Sequence, residues 1–213
     1  YLGNNKSGYV GVNYDITDYI NYQKDNVLVV RADASQYEGW FYEGAGIYRH
    51  VWLNKYPDAH IATDGVFAWS DTKGTTSTMH VETTVENRSP GQSSFTVSSF
   101  ITDRSGKKLV QSKEQPVSLA VNGTVTLKQT LAVPNARKWS LTDPYLYRVI
   151  AVIKQNGRTT DSVQLRVGIR TIELKPNGVF LNGEFVKLQG VNNHQDHAGL
   201  GSALPDYLQY YRI

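Results

Sequence analysis

The sequence predicts a mainly β protein built around an antiparallel β-sandwich, and three observations carry that expectation. Apolar residues alternate with polar ones over much of the chain, the period of strands with one buried face. Turn dipeptides, above all Asn-Gly, separate those runs about every ten residues, the spacing of a sandwich. The third observation is the aromatic content, 14 Tyr, 6 Phe and 4 Trp against a single Met, flat rings that pack well on pleated surfaces.

Taken in order, residues 15–20 fit either one helical turn or a strand end, and the apolar run at 27–31 reads as a short strand buried on both faces. Residues 39–46 hold three glycines among Trp40, Phe41 and Tyr42 and form a loop. Residues 47–53 read as a strand, and Tyr56-Pro57-Asp58 marks a boundary because proline cannot donate to a ladder. Phe95 and Val97 alternate with polar residues, and Ser105-Gly106 turns the chain toward Leu109 and Val110. Val117, Leu119 and Val121 lead through Asn122-Gly123 to Val125 and Leu127, which predicts a hairpin with a type I′ turn, positive in φ at both central residues. The run at 149–153, then Asn156-Gly157, then Val163, Leu165 and Val167 repeats the arrangement. Trp69 and Trp139 fall on sandwich strands and read as core. A further hairpin spans 178–188 around Asn182-Gly183, and 189–201 reads as a loop. From Ser202 a helix is expected, with Pro205 in its first turn and Leu204, Leu208 and Tyr211 on one face. The chain starts without Met and stops at Ile213 inside the helical pattern, so it reads as a piece of a longer polypeptide.

Composition narrows the function. The 22 Lys and Arg against 19 Asp and Glu give +3 over 213 residues with no dense basic cluster, so a nucleic-acid partner is not expected. No apolar run approaches the roughly 20 residues of a membrane helix, and a membrane partner is not expected either. Zero cysteines exclude disulfide frameworks, thiolate zinc sites and thiol nucleophiles, while leaving a periplasmic or secreted location open. No G-x-S-x-G elbow and no phosphate-loop fingerprint occurs, and no cofactor is expected.

The run from Tyr37 through Trp40-Phe-Tyr-Glu-Gly44-Ala-Gly-Ile-Tyr-Arg49 to Leu53 resembles the end of the sugar-binding jelly roll of glycoside hydrolase family 2, which includes β-galactosidases and β-glucuronidases. Gly8-Tyr9, Asp15-Ile-Thr-Asp18-Tyr and Asn26-Val-Leu-Val-Val-Arg31-Ala-Asp33 resemble the preceding strands of that domain. Trp139-Ser-Leu, Pro144-Tyr-Leu-Tyr147 and Gly168-Ile-Arg170 resemble the closing part of the family's immunoglobulin-like second domain. Phe180-Leu-Asn-Gly183 and Gly190-Val-Asn-Asn-His194-Gln-Asp196-His197 resemble the approach to its catalytic (β/α)8 barrel. The resemblance implies an immunoglobulin-like β-sandwich flanked by part of a jelly roll and the first βα portion of a TIM barrel. The expected divisions are 1–57 for the jelly-roll part, 58–170 for the sandwich and 171–213 for the truncated barrel start.

The same resemblance implies hydrolysis of terminal β-linked sugars with retention, by two carboxyl groups roughly 5–5.5 Å apart. In the family both are glutamates at later barrel strands, and no glutamate here sits in a matching motif, so no catalytic residue is assigned and the chain alone is expected to be inactive. Residues 186–190 would be the first barrel strand, which puts His194 at the mouth of the active site. By resemblance His194 reaches a sugar hydroxyl, and a neutral imidazole can both donate to and accept from a diol. Asp196 matches an acidic position of part of the family that accepts a hydroxyl proton or orients His194. The bland alternative is that His194, Asp196 and His197 only knit a glycine-rich loop. Their spacing fits no common metal-ligand pair, and no metal is expected.

Trp40 stands nine positions before Arg49, where several branches of the family place an acidic substrate contact. Trp40 either stacks on a sugar face or, with Phe41, packs the jelly roll against the barrel. Arg49 is expected in an interdomain ion pair or hydrogen bond. A non-enzymatic β-sandwich module for carbohydrate binding or adhesion is the other reading of the chain. The sandwich at about 58–168 is expected to be the independently stable part. Its flanks then pack on it, dimerise or are mobile, which leaves a homo-oligomer open.

Overall fold

A computed structural model of the chain describes residues 1–33, 35 and 46–213. The chain divides into two units, Leu53–Val191 and Tyr1–Trp52 with Asn192–Ile213.

In the first of these the alternation becomes two antiparallel sheets. Strands β1 (Ala59–Lys73), β2 (Thr76–Asn87) and β6 (Thr124–Pro134) form one, in the order β1-β2-β6. The second contains β3 (Ser93–Thr102), β4 (Lys108–Gln111), β5 (Gln115–Leu119), β7 (Tyr147–Gln155) and β8 (Arg158–Val167). Its order is β4-β3-β7-β8, with β5 also paired to β3. Met79, Val81, Val85, Leu131 and Val133 from the first sheet share a core with Phe95, Val97, Ile101, Val149, Ala151 and Ile153 from the second. Each aliphatic side chain so removed from water contributes about 1.5–3 kcal/mol. Two antiparallel sheets around one such core make an immunoglobulin-like sandwich.

Local chemistry explains the details. Ile61 pairs with Val85 and Val66 with Thr83, so β1 carries a bulge between them. The bulge changes the strand's phase and lets both Ile61 and Val66 point into the core. Asp64 adopts φ 54° there, and a Cβ on Gly65 would lie 2.7 Å from the Ala62 carbonyl oxygen. Asn156 and Gly157 have φ 51° and 75°, so the expected type I′ turn joins β7 to β8 with Gln155 opposite Arg158. Asp103 accepts from the Ser105 and Lys107 amides in the turn that leads β3 to β4. At the start of β7 the Tyr147 hydroxyl accepts the Arg137 N–H at 2.8 Å, the tyrosine-corner arrangement of such sandwiches.

Asn122-Gly123 turns out differently. Only Asn122 has positive φ (55°), and the turn closes through the Gly123 N–H on the Ala120 oxygen. β5 pairs with β3 and β6 with β2, so this dipeptide carries the chain from one sheet to the other and forms no hairpin. Buried Asn87 fastens that crossover, its amide donating to the Gly91, Leu119 and Ala120 oxygens.

Beyond the sandwich, β9 (Ile172–Lys175), β10 (Gly178–Leu181) and β11 (Glu184–Val186) form a three-stranded sheet in the order β11-β10-β9. Asn182 and Gly183, at φ 53° and 86°, make the expected hairpin turn between β10 and β11. Asn182 also accepts the Thr171 N–H and donates to the Trp139 oxygen, tying this sheet to the sandwich. The expected strand at 186–190 does not form: Val186 ends β11, and 187–190 pair with no described strand.

Both tryptophans read as core lie elsewhere. Trp69 is on β1 but on its outer face, 39% exposed and stacked on His80, because the bulge sets the odd-numbered positions after it outward. Trp139 follows β6 outside any strand, half-buried, against Gly168 and under the Arg170 guanidinium.

In the other unit, residues 17–19 form a single 3-10 turn with the Asp15 carboxylate accepting the Thr17 N–H, which settles the ambiguity at 15–20 as a helical turn. Residues 27–30 are exposed and 47–52 are irregular, against the strand expectations for both runs. A strand exists through its ladder, and neither run meets a partner strand among the described residues. Helix α1 (Asp206–Arg212) is shorter than expected and has Pro205 as N-cap. Leu204, Leu208 and Arg212 are half-buried along one side, whereas Tyr211 is 86% exposed.

Candidate functional site

The loop expected to carry the substrate contacts is held by its own backbone. His197 and Gly201 exchange both main-chain hydrogen bonds, and Gly199 and Gly201, at φ 81° and 59°, reverse the chain between and beyond them. Positive φ of that kind suits glycine at little cost. The His197 Nδ1 lies 3.0 Å from the Ala198 oxygen, so this ring nitrogen is engaged in the turn. Among the described residues no group of three or more His, Asp or Glu is placed to hold a metal ion.

His194 is exposed and Asp196 half-buried two positions further on. An imidazole can donate and accept at once, and a carboxylate accepts through two oxygens, a pair of chemistries suited to neighbouring hydroxyls. The segment bearing them is gripped from helix α1. Arg212 Nη2 donates to the Asn193 side-chain oxygen and to the His194 main-chain oxygen, the latter at 2.7 Å. At the other end of the helix Asp206 lies 3.7 Å from His50 Nε2. Sequence reasoning passed over Arg212 and Asn193. The one trace of Arg212 is its place four residues after Leu208, on the half-buried side of the helix.

Trp40 falls outside the described residues. Arg49 is exposed, with its guanidinium 5.5 Å from the Tyr48 ring centroid, and it forms no ion pair among the described residues. Trp139 sits where the sandwich meets the third sheet, with Arg170 5.3 Å from its ring centroid, a structural junction rather than an open site.

Comparison with known proteins places this architecture. The model of glycosyl hydrolases family 2 matches residues 59–170, the span of the sandwich, and the chain belongs to that family. A β-galactosidase of Bacteroides ovatus is 33% identical over 206 residues, 95% of this chain and 24% of its own length. A β-galactosidase of Thermoanaerobacter pseudethanolicus is 29% identical over 98% of this chain and 28% of its own length. The chain therefore spans about a quarter of the curated relatives it matches. Among solved structures, a family 2 glycosyl hydrolase from Bacteroides cellulosilyticus superimposes over 99% of this chain with a TM-score of 0.90 at 29% identity. It is covered over 29% of its own chain.

Proposed function

We propose that this chain is part of a retaining β-glycosidase, β-galactosidase-like, that hydrolyses terminal β-linked sugars. In this reading residues 1–57 belong to a sugar-binding jelly roll, 58–170 are the sandwich, and 171–213 begin the catalytic barrel. The observation that carries it is the 33% identity to a β-galactosidase over 95% of this chain. His194 contacts a hydroxyl of the terminal sugar, Asp196 accepts a second hydroxyl proton or orients His194, and Trp40 offers an aromatic face to the ring. The two carboxyl groups of the double displacement come from sequence outside these residues. The partner is thus a carbohydrate bound by the intact enzyme, and the 213 residues alone are inactive.

The test compares the isolated chain with the full coding frame, using p-nitrophenyl β-galactoside and β-glucuronide. Turnover by the longer protein alone, faster on the galactoside, is the expected result. Turnover by the isolated chain that is lost on mutating a residue within it would overturn the reading, as would an inactive full-length protein. His194→Ala in the full-length enzyme should lower kcat/KM, and an unchanged value removes His194 from the substrate site.

A further inference from the structure

We infer that Arg212 is a positioning residue for His194, a role that rests on the proposed substrate contact of that histidine. The segment 187–196 has no strand ladder to fix it, and the His197–Gly201 exchange restrains only its far end. The Arg212 guanidinium restrains the stretch just before that exchange. Nη2 bridges two adjacent residues, the Asn193 side-chain oxygen and the His194 carbonyl, and so sets both the place of the His194 peptide and its rotation. That peptide carries the Cα from which the imidazole projects. Nη1 of the same head group is buried and has no hydrogen-bond partner among the described residues. The two N–H bonds of Nη2 lie in the rigid guanidinium plane and so fix the directions of both acceptors, whereas a lysine ammonium turns freely about its Cε–Nζ bond.

An arginine in the last turn of a helix also complements the helix dipole, and that role alone would leave the sugar site untouched. The full-length enzyme separates the two. Arg212→Ala, Arg212→Lys, His194→Ala and the Arg212→Ala/His194→Ala double variant are compared by kcat/KM on p-nitrophenyl β-galactoside and by thermal midpoint. Arg212→Ala should lower kcat/KM about ten- to a hundredfold, the scale of misplacing a substrate-positioning group. Arg212→Lys should fall between it and the wild type. The double variant should be no worse than His194→Ala, because the arginine acts through that histidine. Full additivity of the two losses, or an unchanged kcat/KM in Arg212→Ala beside a defective His194→Ala, overturns the assignment of Arg212. A silent His194→Ala overturns the substrate reading itself and the inference with it. Hydrogen exchange over 191–197 follows the grip directly and should quicken in Arg212→Ala.

Discussion

Replacing Asn87 by alanine should destabilise the sandwich far more than its small size implies. The side chain is fully buried, and its amide shares donors among the Gly91, Leu119 and Ala120 oxygens at 2.9, 3.1 and 3.1 Å. Its oxygen accepts the Ser89 N–H and hydroxyl at 3.0 and 2.6 Å. A net loss of about 0.5–1.5 kcal/mol per bond sets the upper bound. Gly91 and Ala120 are exposed, so water can replace part of what is lost, and the cost comes to about 2–4 kcal/mol. That corresponds to a thermal midpoint roughly 6–15 °C lower for a domain of this size, measured by scanning calorimetry. Asn87→Asp is the sharper test. It keeps the acceptor toward Ser89 but turns a charged oxygen toward three carbonyl oxygens, so it should be at least as damaging as alanine. A loss below about 1 kcal/mol for alanine, or an aspartate better tolerated than alanine, would refute the view that Asn87 is the donor holding the crossover.

Gly65→Ala should cost about 1–3 kcal/mol in urea titration, since its Cβ would meet the Ala62 and Thr84 carbonyl oxygens at 2.7 and 2.9 Å. Tyr147→Phe should cost about 1–3 kcal/mol on the same assay, because the Arg137 N–H loses its acceptor at the corner between β6 and β7. Acid should unfold the sandwich more readily. The Ser105 hydroxyl foremost holds Asp103 below the usual carboxylate range, Lys154 does so for Glu114, and Arg137 for Asp143. A depressed folded value means these groups stabilise the fold above the unfolded value of about 4 and lose that effect as pH falls through the folded values. The thermal midpoint should therefore drop below about pH 4, and a rise on acidification would contradict the assignment.

The sandwich was legible because its signals are short-range. β2 buries every second residue from Ser77 to Asn87, and Asn156-Gly157 and Asn182-Gly183 both adopt the positive φ their chemistry favours. Asn122-Gly123 carries the same local signal yet spans two sheets, since the choice of partner for β5 and β6 depends on β3 and β2, far along the chain. The β1 bulge likewise turned Trp69 outward, and the apolar run at 27–30 made no strand, since no partner strand among the described residues meets it. At the candidate site, His194 and Asp196 stood out through a motif. Arg212 did not, because the contacts that matter are to Asn193 and His194, 19 and 18 residues away.

By itself, then, the order of amino acids determined the β character, the family, the faces of most sandwich strands and two of the three hairpins expected at Asn-Gly. Those depend on alternation and on φ preferences that each short stretch carries within it. Tertiary structure alone decided which strands pair, where Trp69 and Trp139 lie, and which arginine grips the His194 loop. A ladder, a bulge or a guanidinium bridge is made between residues distant in the chain, and its energy exists only once folding has brought them together.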